Sequence, residues 1–211
     1  MDGKQVSKAA MQRLPLYLAY LRTVPFRENI SSAVIASELG LGEIQVRKDL
    51  ASVSGAGRPK TGYRTEELIA DLEDFLGYRN IDNAIVVGCG RLGTAILDYS
   101  GFCEYGMNIA AGFESDLSKT GVSQTGKEIL PLDRLREYCG MSDIKIAILC
   151  VPPDCVQEAC RTLADAGIKA VLNFAPVCPS VPEGMTVKNV NIAAQLAQLA
   201  NSMSKQGKTL T

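Results

Sequence analysis

Histidine is absent from all 211 residues, and that absence is the first constraint on chemistry. Such a chain lacks the side chain most often used for proton transfer near neutral pH, and the nitrogen ligand that completes many zinc sites. The seven cysteines, at 89, 103, 139, 150, 155, 160 and 178, form no CxxC pair and are odd in number. That set suits neither zinc nor a disulfide framework, so no metal is expected and a reducing compartment fits best. No run of about 18 apolar residues reaches the length of a membrane span. The start, MDGKQVSK, lacks the apolar core of a signal peptide. The expectation is a mature, soluble, cytoplasmic chain with no membrane partner.

A chain of this length makes one or two domains and can bury a sizeable core. Its 22 Lys and Arg nearly balance 23 Asp and Glu, but unevenly: residues 1 to 63 hold nine basic and five acidic residues. The N-terminal third is therefore suited to facing an anion.

Residues 8 to 22 carry Ala9, Leu14, Leu16, Leu18, Tyr20 and Leu21 in a mostly helical rhythm that Pro25 ends. In NISSAVIASELGLGEIQVRKDLASV, Ser31 or Ser32 can cap a short helix, and Gly40 permits the left-handed residue that stops it. A second helix starts near Glu43, with Val46, Leu50 and Val53 on one stripe. The Gly/Pro-rich SGAGRPKTGY, residues 54 to 63, suits a hairpin or wing. Thr65 can cap a third helix with Leu68, Ile69, Leu72, Phe75 and Leu76 inward, stopped by Gly77. GYRNID, residues 77 to 82, then reads as a domain boundary.

From residue 84 short β-branched runs alternate with helical ones, the pattern of an α/β domain with a parallel sheet. The first run leads into VVGCGRLGTAI. After a strand and before a helix, Gly88 can make the tight turn, Gly90 can admit a pyrophosphate, and Gly93 can let helix and strand pack closely. The helix N-terminus supplies a positive pole for phosphates. Glu114 stands 21 residues after Gly93, with Asp116 beside it, where a carboxylate accepts ribose hydroxyls and repels a 2′-phosphate. No Arg or Lys occupies 115 to 118, which favours NAD(H) over NADP(H).

Turning such a ligand over needs a proton donor. Tyr99, Tyr105 and Lys119 are the nearby candidates, in no Tyr-x-x-x-Lys arrangement. Sensing is favoured over catalysis, and no catalytic residue is assigned. Cys89 and Cys150 are either redox-active thiols or small buried apolar groups.

Ala36, Gly40 and Val46 fit a helix-turn-helix: a small residue, a turn glycine four later, a buried aliphatic six after that. The second helix would enter the major groove of double-stranded DNA. Gln45, Arg47 and Lys48 are its candidates: Arg or Lys suits guanine and Gln suits adenine, while a phosphate contact is open to each. Arg58 and Lys60 suit a wing reaching phosphates or a narrow minor groove.

Together RLPLYLAYL, NISSAVIASELG, QVRKDL, GAGRPKTGY, VVGCGRLGTAIL, GFESD, VPPD, AGIKAVLNFAP and VPEGMTVKNVNIA resemble the Rex redox-sensing transcriptional repressors. The resemblance implies an N-terminal winged helix-turn-helix domain (1–78), a Rossmann doubly wound parallel-sheet domain (79–190) and a C-terminal dimerisation helix and tail (191–211). It further implies a homodimer that swaps that helix and binds an A/T-rich inverted-repeat operator, with NADH releasing the DNA and NAD+ permitting binding. Gly88, Cys89, Gly90, Arg91, Leu92 and Gly93 would hold the pyrophosphate, with Val151 and Pro152 also at the cofactor. Glu114 would replace the aspartate usual at the ribose. Ser31, Gln45, Arg47, Lys48, Arg58 and Lys60 would meet DNA.

The sequence also departs from that family. The wing's usual aromatics are replaced by Val53 and Ala56, and Pro59-Lys60 stands where an Arg-Gly step is common. Ala19 and Asn191 replace two positions often charged in the family, which removes a salt-bridge form of coupling through them. Two other classes remain open: an NAD-dependent oxidoreductase with an appended helical domain, and a CoA-binding protein.

Overall fold

A computed structural model describes residues 6–25, 27–55, 57–79 and 82–206. Ala56 of the wing and the Asn80-Ile81 step of the GYRNID segment lie outside the described residues, as does the tail from 207 to 211. The chain divides into two compact units, residues 1–80 and 81–211.

In the first unit α1 (Lys8–Thr23) begins where the Ser7 hydroxyl accepts the Ala10 N–H. Its buried stripe is Ala10, Leu14, Tyr17, Leu18 and Leu21, a clean helical spacing. Ala9 and Leu16, expected inward, face solvent because they lie off that stripe. Strand β1 (Asn29–Ile30) leads into α2 (Ser32–Leu39), capped by Ser31, whose hydroxyl accepts the Val34 N–H. Gly40, at φ 64°, ends it, and α3 (Glu43–Val53) follows after a tight turn.

Ile35 and Ala36 of α2, Val46 and Leu50 of α3, and Leu68 and Leu72 of α4 (Thr65–Leu76) share one core with α1. Between α3 and α4 the chain forms a wing: Arg58 bridges Gly62, and β2 (Tyr63–Arg64) pairs antiparallel with β1. The expected Thr65 cap is not formed. Arg64 holds the cap position, and Thr65 is the first helical residue, its buried hydroxyl without a hydrogen-bond partner. Phe75 of α4, expected inward, is half exposed.

The second unit is a seven-stranded sheet. In chain order its strands are β3 (Asp82–Val87), β4 (Met107–Glu114), β5 (Gly121–Val122), β6 (Glu128–Pro131), β7 (Ile146–Leu149), β8 (Ala170–Asn173) and β9 (Thr186–Asn189). They lie side by side as β5-β6-β4-β3-β7-β8-β9, every pair parallel except β5 with β6. Leaving out the edge strand β5, this is the doubly wound Rossmann order, whose direction reverses between β3 and β7.

Alternation along β3 feeds two cores. Ile85 and Val87 pack with α6 (Leu135–Ser142) and α7 (Val156–Asp165), while Ala84 and Val86 pack with Leu97 of α5 (Arg91–Asp98) on the other face. The final helix, α8 (Ile192–Gln206), is started by Asn191, whose side chain accepts the Ala194 N–H at 2.9 Å. Its Ile192, Leu196, Leu199 and Met203 are all exposed in the single chain.

Candidate functional site

The glycine turn joins β3 to α5 at the point where the sheet order reverses. Gly88 has φ 89°, and a Cβ there would stand 2.7 Å from the Cys150 carbonyl oxygen and 2.9 Å from Val151. Conformation and space both exclude a side chain. A Cβ on Gly93 would collide with the Gly88 carbonyl oxygen, so this glycine is what lets α5 lie against the strand. Gly90 differs: it holds the N-cap position of α5, and a Cβ there would meet nothing within 4 Å. The first N–H groups of α5, at Arg91, Leu92 and Gly93, lack intrahelical acceptors and form a positive pole.

Glu114 closes β4 and is 8% exposed. Its carboxylate accepts the Cys89 N–H at 2.8 Å, the Ser115 N–H at 2.8 Å and the Asp116 N–H at 3.1 Å. Burial alone would push this carboxyl up, but the three backbone donors and the Ser115 hydroxyl outweigh it and hold the group below its ordinary value. The Cys89 N–H therefore faces Glu114, not outward toward a phosphate.

Beside these residues lies a cleft of about 570 Å³, lined by Gly88, Gly90, Glu114, Val151 and Pro152 among others. A second hollow, lined by Cys89, Gly90 and Arg91, adjoins it at Gly90 and Lys119. Leu92 lies outside both clefts and is 46% exposed. Lys119, considered from sequence only as a proton donor, lines both hollows; it falls one position beyond the segment searched for positive charge. It pairs with Asp116 at 3.0 Å, and the hydroxyl of Ser118 and then Lys119 hold Asp116 down at about 2.

The same region argues against thiol chemistry and against proton transfer by the two tyrosines. Burial, with Glu114 and Cys150 nearby, pushes Cys89 up to about 12, and burial pushes Cys150 up to about 11. Both stay protonated and unreactive at neutral pH. Tyr99 is 59% exposed and stacks edge-on against Phe102, while Tyr105 is half exposed. Neither tyrosine lines the cleft, and no cluster of metal-ligating side chains occurs among the described residues.

In the first unit a groove of about 280 Å³ between α2, α3 and the wing is lined by Ser31, Arg47, Arg58 and Lys60. Four of the six expected contact residues thus meet at one place. Lys48 is exposed on α3 away from that groove. At the wing tip Lys60 holds φ 68°, the left-handed conformation that a glycine adopts without strain.

Gln45 also lies outside the groove, because it belongs to a second cluster at the base of α3. Arg13 donates to the Asp49 carboxylate from Nε at 2.8 Å and from Nη2 at 3.0 Å, and the Tyr17 hydroxyl donates to it at 2.7 Å. The pairing with Asp49 raises Arg13 further, and burial followed by the Asp49 bond pushes Tyr17 up to about 12. The signal for this cluster was in the sequence: position 49 falls on the buried stripe of Val46, Leu50 and Val53, where a carboxylate requires a partner.

A helix-turn-helix with a cationic wing, followed by a doubly wound domain with a dinucleotide-type cleft, defines a ligand-responsive DNA-binding regulator. Two families match by sequence: the putative DNA-binding protein N-terminus over residues 5–51, and the CoA binding domain over residues 79–177. The chain is 38% identical to the redox-sensing transcriptional repressor Rex of Carboxydothermus hydrogenoformans, over 94% of this chain and 97% of that one. It is 37% identical to Rex of Clostridioides difficile over 99% of this chain and 100% of that protein. Among solved structures it resembles RSP in complex with β-NAD+ and operator DNA, with a TM-score of 0.86 and 31% identity, covering 98% of this chain and 96% of that chain. RSP in complex with β-NADH matches with a TM-score of 0.83 and 30% identity, covering 98% and 99%. The chain belongs to the Rex family of redox-sensing transcriptional repressors. Its relatives are repressors, not enzymes.

Proposed function

We propose that this chain is a dimeric, cytoplasmic repressor that binds an inverted-repeat DNA operator and releases it when NADH occupies the cleft at Gly88–Gly93. The observation that carries the reading is the full-length likeness to RSP, a protein crystallised with operator DNA and β-NAD+ and also with β-NADH. In this assignment residues 1–78 meet DNA, 79–190 hold the dinucleotide, and 191–211 dimerise.

The α5 N-terminus would take the pyrophosphate and Glu114 a ribose, while Arg47, Lys48, Arg58, Lys60 and Ser31 face DNA. Linkage requires NADH to weaken DNA binding by the factor by which DNA weakens NADH binding. A 100-fold effect corresponds to about 2.7 kcal/mol of differential affinity. The cleft supports a dinucleotide over CoA because an ionised Glu114 is poised for ribose hydroxyls and repels a phosphate on them.

The test is a fluorescence-anisotropy titration against an A/T-rich inverted-repeat duplex, without ligand, with NAD+ and with NADH, at one fixed salt concentration. Tight binding released selectively by NADH is expected. Binding indifferent to NADH overturns the sensor, and stabilisation against heat by CoA in place of NADH overturns the ligand.

A further inference from the structure

The Glu114 carboxylate has little acceptor capacity left. Its Oε1 takes the Ser115 N–H at 2.8 Å, the Asp116 N–H at 3.1 Å and the Ser115 hydroxyl at 3.2 Å, while Oε2 takes the Cys89 N–H at 2.8 Å. An ionised carboxyl offers about four lone-pair sites over its two oxygens. Oε1 is full, and Oε2 keeps about one site. A ribose presents two adjacent hydroxyls, so one can give its proton to Oε2 and the other needs a partner elsewhere in the lining.

Lys119 has the place and the chemistry for it. It ends a single helical turn, Leu117–Lys119, shortly after β4, and it lines both the cleft that Glu114 lines and the adjoining hollow of about 540 Å³. Its ammonium carries three N–H donors, one of them held by Asp116 Oδ2 at 3.0 Å. Asp116 is itself fixed, its Oδ1 accepting the Ser118 N–H at 3.0 Å and the Ser118 hydroxyl at 2.6 Å. Among the described residues two donors remain unspent on this half-exposed cation.

Resting on the assignment of the cleft to NAD(H), we infer that Lys119 is a second ribose contact, donating to the hydroxyl that Glu114 does not take, and that its charge works against Glu114 in excluding NADPH. Glu114 repels a 2′-phosphate, and Lys119 attracts one. The preference between the two dinucleotides is then a balance of two opposite charges.

The experiment is calorimetric titration of the full-length protein and of Lys119→Met with NADH, NADPH, ADP-ribose, and ADP-ribose lacking either the 2′- or the 3′-hydroxyl of its adenosine. Methionine keeps most of the stem and removes both donors and charge. Wild type is expected to bind NADPH measurably but more weakly than NADH. In the variant NADH and ADP-ribose are expected to lose roughly five-fold in affinity and NADPH roughly ten-fold or more, so the NADH-over-NADPH ratio widens, whereas neutralising Glu114 narrows it. One of the two deoxy ligands is expected to bind both proteins alike, because the hydroxyl that Lys119 meets is gone. Operator binding without ligand stays as in wild type, and Lys119→Arg restores the ratio.

A Lys119 that only steadies Asp116 would weaken every ligand by the same factor, deoxy forms included, and that result overturns the inference. So does an unchanged NADH affinity in Lys119→Met, or a wild type that ignores NADPH at millimolar concentration. If wild type binds operator DNA but neither NADH nor ADP-ribose, the assignment of the cleft fails first and the inference falls with it.

Discussion

Gly93 passes so close to the carbonyl oxygen of Gly88 that no side chain fits between the helix and the strand. Gly90, midway between them in sequence, has open space on its side-chain face.

That contrast separates folding from binding. Gly93→Ala is expected to lower stability by about 1–3 kcal/mol through overpacking, seen as a lower melting temperature. Gly90→Ala is expected to melt as wild type does while losing NADH affinity, because the added methyl occupies the space offered to the pyrophosphate. Calorimetric titration with NADH checks it, and unchanged affinity in Gly90→Ala would place the pyrophosphate elsewhere.

Replacing Glu114 by Gln removes an ionised acceptor of three backbone N–H groups. Hydrogen bonds to charged groups are worth about 1.5–3 kcal/mol, so a drop of roughly ten-fold or more in NADH affinity is expected, with a narrower NADH-over-NADPH ratio. An unaltered ratio would remove Glu114 from the ribose.

The same carboxyl links stability to pH. Its folded value lies below its ordinary 4.5, so its contribution is fully present above that pH and is lost as pH falls through the depressed value. The melting-temperature gap between wild type and Glu114→Gln is expected to stay constant from neutrality to about pH 4.5 and to shrink below. A gap that widens in acid would contradict the hydrogen-bonding described.

Lys60 holds a left-handed conformation that costs a non-glycine residue about 1 kcal/mol or more. Lys60→Gly is expected to raise stability by roughly that amount. Because it deletes one cation from the wing groove, it is also expected to weaken operator binding and reduce the salt slope by about one. Binding that keeps both its strength and its slope would place Lys60 off the phosphates.

The exposed stripe Ile192, Leu196, Leu199 and Met203 on α8 is the surface assigned to dimerisation. Leu196→Glu is expected to convert a two-chain mass to a one-chain mass in light scattering, and to weaken binding to a full inverted repeat far more than to a single half-site. A variant that stays dimeric would move the interface away from α8.

Local signals were the legible part of this sequence. Ser31 acts at a helix start through its own hydroxyl, Gly40 and Gly77 act at helix ends through left-handed backbone, and each stands where the pattern required. The glycine turn and Glu114 were legible because spacing along one strand-turn-helix unit fixes their meeting. Thr65 failed as a cap because β2 runs directly into α4, leaving Arg64 in the extended cap position. The short β5–β6 pairing, α6 and β9 were not resolved, since runs of two to eight residues carry little periodicity. Contacts across long separations were equally hidden: Arg13 and Asp49 meet only because α1 packs on α3, and Lys119 reaches the cleft only because the chain turns back after β4.

The tie between Glu114 and the Cys89 N–H also bears on how a redox state is read. NAD+ and NADH share the same adenosine and pyrophosphate and differ at the nicotinamide, by one hydride and one charge. On the proposed role of Glu114, a ribose grip already ordered by backbone donors would treat the two alike and set how much total dinucleotide the protein holds. Discrimination between them must come from groups around the nicotinamide, so variation at Glu114 is expected to change the sensor's threshold concentration and leave the ratio to which it responds largely intact.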